Sequence, residues 1–274
     1  MSALQRVAVH LADVEDGRLL LVGGVLPWAL LAHGETPAAA LARVHGGPGG
    51  LETGALLAVV DGRREDDGLD LHTVHLVLAG RAPDALAGAA GAQRVPAPQQ
   101  WPLAPDADVV LDPAERVRLA PGRADAPVVR QRLACYAVVV SDGALLLTRL
   151  SARTPSPGRW TLPGGGVDHG EHPLSAVVRE VHEETGMDVR VTGLAEIGAE
   201  HFTGRSPRGV LEDFHAVRVL VRAEPLEVRE PEVLDVGGST DLARWVPLEE
   251  AEGVGLVGVA LRGLRIAQGD AQVA

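Results

Sequence analysis

The sequence predicts an α/β protein made of two tandem copies of one unit. Three observations carry this: a strand–turn–strand pattern that occurs twice, a helical segment that follows it twice at a constant offset, and a Pro/Ala/Gly-rich stretch between the two regions. A length of 274 residues and a hydrophobic share of 46% are enough for two ordinary domains with cores of their own.

Taken in order, region one opens with VAVHLADVEDGRLLLV, two apolar runs broken at Asp16-Gly17. Region two opens with YAVVVSDGALLLTRL, broken at Asp142-Gly143. An Asp-Gly pair between apolar runs is a hairpin signal, because the tight turn needs positive φ at both central residues. Next comes HGETPAAALAR in region one and HGEHPLSAVVR in region two. His33, Gly34, Glu35, Pro37 and Arg43 thereby align with His169, Gly170, Glu171, Pro173 and Arg179. Later, LDLHTVHLVLAG mirrors LEDFHAVRVLVRAE and pairs His72 with His215. The stretch 81–130 reads as loops plus linker, giving domains at 1–125 and 130–274.

Composition narrows the function. The chain has 37 acidic residues against 25 basic ones, all of them Arg, for a net charge of -12. Wrapping of a nucleic-acid polymer by phosphate neutralisation is not expected. An acidic protein that handles phosphates needs local Arg clusters or a bound cation. The single thiol, Cys135, cannot form an internal disulfide and reads as a strand residue with Tyr136. The longest uncharged stretch near the start, 19–34, contains Pro27 and three glycines and is too short to span a membrane. No signal peptide is read in the first residues, so the expected location is cytoplasmic.

In region two, Leu174, Val177, Val178 and Val181 fall at i, i+3, i+4 and i+7, the stripe of a helix packed on one side. Pro173 suits its first turn and Gly186 its stop. Glu180, Glu183 and Glu184, spaced i, i+3, i+4, are expected to project together from the face opposite the valines. Their mutual repulsion calls for a hard divalent cation, Mg2+ or Mn2+, which takes oxygen ligands from carboxylates, water and substrate phosphates. Just upstream, LPGGG at 162–166 lets the backbone at Gly164, Gly165 and Gly166 approach a ligand closely.

From Gly165 the chain reads GGVDHGEHPLSAVVREVHEETGM: Gly, five residues, Glu171, seven residues, Arg179-Glu180, Val181, one residue, Glu183-Glu184, one residue, Gly186, then an apolar residue. This resembles the Nudix box at every defined position, and the Trp245-Val246-Pro247-Leu248 segment and a closing helix near 247–268 extend the similarity over about 135–268. The resemblance implies an α/β/α sandwich with a mixed β-sheet. It also implies that Glu180, Glu183 and Glu184 are metal ligands, with one of the three a candidate base, that Arg179 orients them, and that Glu171 and Gly165 support the loop. The implied reaction is attack of water on phosphorus in a nucleoside diphosphate linked to another group, such as a nucleoside triphosphate, ADP-ribose or a nucleotide sugar. Segments typical of the coenzyme A and NADH branches are not matched.

Further candidates lie outside the box. The segment 201–213 reads as a loop with Arg205 and Arg208 for phosphate and with Glu212 or Asp213 as an extra ligand or base. Arg149, Arg153 and Arg159 stand upstream as phosphate contacts, while Trp28, Trp160 and Trp245 read as packing anchors. His169, His172, His182 and His201 have no spacing that demands zinc. In region one, Val44, Gly47 and Pro48 replace the three box glutamates and the glycine loop is four residues shorter. That copy is expected to be non-catalytic, either a structural partner in an intrachain pseudo-dimer (or a homodimer) or a recognition module that shapes the substrate pocket, rather than a second active site. The rival reading is a nucleotide-sensing or regulatory protein without turnover, which more typically carries a damaged box.

Overall fold

The computed structural model describes residues 2–46, 51, 53–66, 69–104, 127–205, 209–235 and 237–273. Gly47, Pro48, Arg208 and residues 105–126 of the expected linker lie outside them. The chain divides into two compact units. The first comprises Met1–Arg132 with Ile197–Thr203 and Glu212–Val217, and the second comprises the remaining residues between Leu133 and Ala274.

In the first unit, β1 (Ser2–Ala12) carries β4 (Trp28–Leu30) antiparallel on one edge and β6 (Leu69–Gly80) parallel on the other; β5 (Thr53–Asp66) completes the order β4-β1-β6-β5. A hairpin joins β2 (Val14–Glu15) to β3 (Arg18–Val22), and its turn residues Asp16 and Gly17 have φ of 51° and 70°. Helix α1 (Pro37–His45) follows β4, capped by the Thr36 hydroxyl. Leu19, Leu21, Leu26 and Val77 form a core cluster flanked by Trp101 and Leu103. The stretch expected to be loops contains helix α2 (Asp84–Ala87) and strand β7 (Ala92–Pro96), which pairs with β3. AQRVP offers one strong strand former in five residues, so the tertiary edge of β3 recruits it rather than its own propensity.

In the second unit, β8 (Val128–Ser141) and β9 (Ala144–Leu150) meet at Asp142 (φ 48°) and Gly143 (φ 73°), as the Asp-Gly pair predicts. The sheet order is β10-β9-β8-β13-β12, with β10 at Trp160–Thr161, β12 at Val189–Arg205 and β13 at Leu211–Pro225. Strand β11 (Gly164–Gly166) adds to β8 antiparallel, and β14 (Thr240–Pro247) adds to β9. Helix α3 (Pro173–Thr185) follows β11. Thus β1 has β4 and β6 as neighbours, β8 has β11 and β13, and in each case a helix that starts at a proline leaves the short strand.

Three expectations are corrected here. The segment 201–213 is mostly strand, since β12 runs to Arg205 and β13 begins at Leu211; its polar composition hid an exposed hairpin arm. The closing helix is α4, Gly258–Val273, preceded by a 3-10 turn at Ala251–Val254. Gly255, with φ 85°, ends that turn and delays the helix. Gly263 lets α4 close on Leu162, whose side chain lies 2.6 Å from where a Cβ would stand. Leu162 belongs to the core with Leu145, Leu147, Trp160, Leu220 and Leu264.

The third correction concerns α3. Its buried face is Pro173, Ala176, Val177, Val181, Glu184 and Thr185. Glu184 stands three residues after Val181 and seven after Val177, so it shares the valine face instead of opposing it. Glu180, one turn earlier, is partly covered at 18% side-chain exposure, and Glu183 is the most open of the three at 44%.

Candidate active site

The site is built on a strand too narrow for side chains. Gly164 has φ 138°, and a Cβ there would stand 2.4 Å from the Cys135 carbonyl oxygen. Strand β11 therefore lies against β8, with Gly164, Gly165 and Gly166 opposite Tyr136, Cys135 and Ala134. At Gly165 the space a Cβ would take is filled by the Glu180 carboxylate, 2.6–2.7 Å away. The glycines serve to bring a carboxylate of α3 against the β11 backbone. Cys135 beneath is fully buried, and burial pushes its thiol up to about 12, which leaves it inert.

Arg179 organises the acidic groups. Its Nε and Nη2 donate to the two oxygens of Glu171 at 2.9 and 3.0 Å, a bidentate pair. Its Nη1 donates to Glu180 at 3.0 Å and to Glu183 at 3.1 Å. Glu171 also accepts from the Asp168 N–H at 3.1 Å, which pins the loop before α3. The Arg179 hydrogen bonds hold the Glu171 carboxyl below its usual range, and Glu171 first, then Glu180, raise the guanidinium above its own. One cation among three carboxylates leaves the cluster net negative. The same bond pattern recurs in the first unit. Arg43 Nε and Nη2 donate to the oxygens of Glu35 at 2.7 and 3.1 Å, and Glu35 accepts from the Ala32 N–H at 3.0 Å. Where Glu180 follows Arg179, the half-exposed Val44 follows Arg43.

Glu184 plays a different part. It is 5% exposed, accepting from the Gly164 N–H at 3.0 Å and from the Thr240 hydroxyl at 2.6 Å. Burial raises its pKa to about 7; the Thr240 and Gly164 hydrogen bonds oppose the rise and the Glu180 charge adds to it. Thr240 also lines a cleft of about 430 Å³ together with Ser151, Arg153, Gly237, Gly238 and Asp241. Ser239, Thr240 and the cleft glycines carry no periodic signal, and sequence reasoning missed them.

The remaining candidates scatter. Arg149 pairs with Asp241 at 2.8 Å, and Arg159 donates to the carbonyls of Gly255 and Leu256 at 2.7 and 2.6 Å. Of the three upstream arginines, Arg153 lines the cleft. Arg205 donates to the Gly209 carbonyl at 2.8 Å. Glu212 belongs to the first unit and takes a 2.6 Å bond from Arg130. His172 caps α3 by accepting from the Leu174 N–H, and His182 lies 3.0 Å from Asp188. Trp160 is buried, with the Arg244 guanidinium 4.4 Å from its ring centroid.

The NUDIX domain family profile matches residues 130–260. This part of the chain is a NUDIX domain. Among curated relatives, the RNA pyrophosphohydrolase of Agrobacterium fabrum is 58% identical over 41 residues, 15% of this chain and 24% of that protein. The nucleoside triphosphatase NudI of Escherichia coli (strain SE11) is 40% identical over 65 residues, 23% of this chain and 46% of that protein. The chain thus spans about a quarter and about half of the length of these two relatives. Among solved structures, the MutT NUDIX hydrolase from Burkholderia pseudomallei is 28% identical, with a TM-score of 0.38, covering 50% of this chain and 98% of that one. In this NUDIX domain the box motif is the β11–α3 unit described above.

Proposed function

We propose that residues 130–274 use Mg2+ or Mn2+ to hydrolyse a phosphoanhydride bond in a nucleoside diphosphate linked to another moiety: a nucleoside triphosphate, ADP-ribose or a nucleotide sugar. The observation that carries this is the Arg179 clamp, which holds Glu171 with one edge and Glu180 and Glu183 with the rest of the guanidinium. All donors gathered there are carboxylate oxygens, the chemistry that suits Mg2+ and Mn2+ rather than a softer ion. Glu180 and Glu183 would hold the cation, with Glu184 behind them. When bound, the cation lowers the charge on the diphosphate and activates water.

The chain's own residues supply the positioning. Arg179 fixes the rotamers of Glu180 and Glu183, so that little ordering is left to occur at the moment of reaction. Gly164 and Thr240 hold Glu184 by one hydrogen bond to each oxygen. Arg153, at the cleft, offers a guanidinium to substrate phosphate. Arg149, Arg159 and Arg205 each spend part of their guanidinium on other partners.

Residues 1–125 fit a degenerate copy that does no chemistry. The repeated strand order and the repeated Glu–Arg clamp at an offset of 136 support this, and Val44 removes the first ligand. Among the described residues no helix is long and apolar enough to cross a membrane, and the lone buried thiol favours the cytoplasm. The test is a screen of nucleoside triphosphates, ADP-ribose, nucleotide sugars and capped or diphosphate-linked nucleosides with Mg2+ or Mn2+, followed by product identification. The proposal expects turnover of one class that stops with EDTA. Tight nucleotide binding with no turnover of any class would favour sensing instead.

A further inference from the structure

The first unit gathers imidazoles that the box does not use. His33 lies between β4 and α1, His201 on β12, and Asp213 and His215 on β13. His201 Nε2 is 2.6 Å from Asp213 Oδ1, and His33 Nε2 is 3.3 Å from the same oxygen. The His33 and His201 rings stand 5.0 Å apart, nearly perpendicular at 84°. Both ring nitrogens of His33 are buried; Nδ1 has no hydrogen-bond partner, and Nε2 meets only Asp213, at 3.3 Å and off hydrogen-bond geometry. Leaving a polar ring buried in this way is costly unless something else satisfies it.

His215 forms a wall of the cluster rather than a donor to it. Its ring is 5.5 Å from His33 and 6.4 Å from His201. Its Nδ1 is 3.0 Å from Gln131 Nε2 and its Nε2 is 2.8 Å from the Glu35 carbonyl oxygen, so both nitrogens are spent. The donor atoms of His33, His201 and Asp213, by contrast, all lie within 4.8 Å of one another. Partial burial would raise the Asp213 carboxyl, but the His201 and His33 contacts outweigh it and hold the group below its usual range. It is an anion at neutral pH.

We propose that His33, His201 and Asp213 form a binding site for a transition-metal ion, Zn2+ foremost, that shares no residue with the box. Two imidazoles and a carboxylate favour Zn2+, Co2+ or Ni2+ over Mg2+, which prefers oxygen. Donors at bond lengths of roughly 2.0–2.2 Å around a tetrahedral ion stand about 3.3 Å from one another. His33 and Asp213 already have that spacing. His201 must open from Asp213 by less than about 1 Å, and its exposed ring has room to do so. Three protein ligands leave a fourth position for water or an anion, as in open zinc sites.

The test is Zn2+ retention by the full-length chain after dialysis in excess Mg2+, with Co2+ absorption as a spectroscopic probe of tetrahedral geometry. Wild type and Glu180→Gln should each retain one equivalent of Zn2+, show tetrahedral Co2+ bands and melt at higher temperature with Zn2+. His201→Ala and Asp213→Asn should lose all three properties. His201 is solvent-exposed, so its variant tests the site without opening the core, and an unchanged melt in the absence of metal confirms folding. Retention of Zn2+ by a folded His201→Ala, or no retention by wild type, would overturn the proposal.

Discussion

Glu184→Gln separates the role of a buried carboxylate from that of its exposed neighbours. In the metal-free protein the Glu184 pKa rises from 4.5 to about 7, chiefly through burial. A group raised on folding stabilises the fold below its unfolded pKa and loses that contribution as pH climbs through the folded one. Between pH 4.5 and 7 the unfolded chain releases this proton and the folded chain keeps it. Stability should therefore fall by about 1.4 kcal/mol per pH unit, about 3 kcal/mol over the window. Glutamine keeps the shape: its oxygen still accepts from the Gly164 N–H, and its amide can donate to the Thr240 hydroxyl, which turns to accept. The assay is urea unfolding in EDTA from pH 4 to pH 8.5. Glu184→Gln should match wild type near pH 4, exceed it by a few kcal/mol above pH 7, and lack this part of the slope. Parallel stability curves for the two proteins would refute the buried, proton-holding Glu184.

The two loop glycines should fail differently. Gly164→Ala forces a side chain against the Cys135 carbonyl at a left-handed φ and should destabilise by about 2 kcal/mol or more in thermal or urea melts. Gly165→Ala meets only the movable end of Glu180, so kcat should drop at least tenfold while the melting temperature changes little. Val44→Glu should be tolerated within about 0.5 kcal/mol, because Val44 is 49% exposed and not core, and it should add no second activity to a Glu180→Gln background. Arg179→Lys keeps the charge but cannot hold Glu171 bidentately while reaching Glu180 and Glu183. Turnover should fall by about two orders of magnitude, read as a kcat loss with the substrate series unchanged.

Much of the fold was legible because its signals are local. Both Asp-Gly turns, the proline starts of α1 and α3 and the Gly186 stop need only a few adjacent residues, and each stands where expected. The Glu–Arg clamps were legible as a repeat, since their spacing of eight residues is kept in both units. The rest depended on tertiary partners. Glu184 was assigned to the wrong face because the carboxylate spacing was read without asking which valines share its angle. The 201–213 arm was read as a loop because exposed strands lack the apolar alternation that marks buried ones. His33 and His201 are 168 positions apart, and no spacing rule reaches that far. Arg149 and Arg159 looked available in sequence, where their partners Asp241 and the Gly255 carbonyl cannot be foreseen.

The central claim is that the clamped glutamates of α3 perform metal-assisted hydrolysis. It is tested most directly by kcat for Glu180→Gln at saturating Mg2+, on whichever nucleotide the screen selects, with the melting temperature recorded alongside. Glutamine removes one charge from the ligand set and leaves the Gly165 contact and the helix in place. Turnover should fall by at least two orders of magnitude with the metal-free melting temperature held or slightly raised, since repulsion with Glu183 and Glu184 is relieved. Turnover near the wild-type value in a folded Glu180→Gln protein would contradict the account.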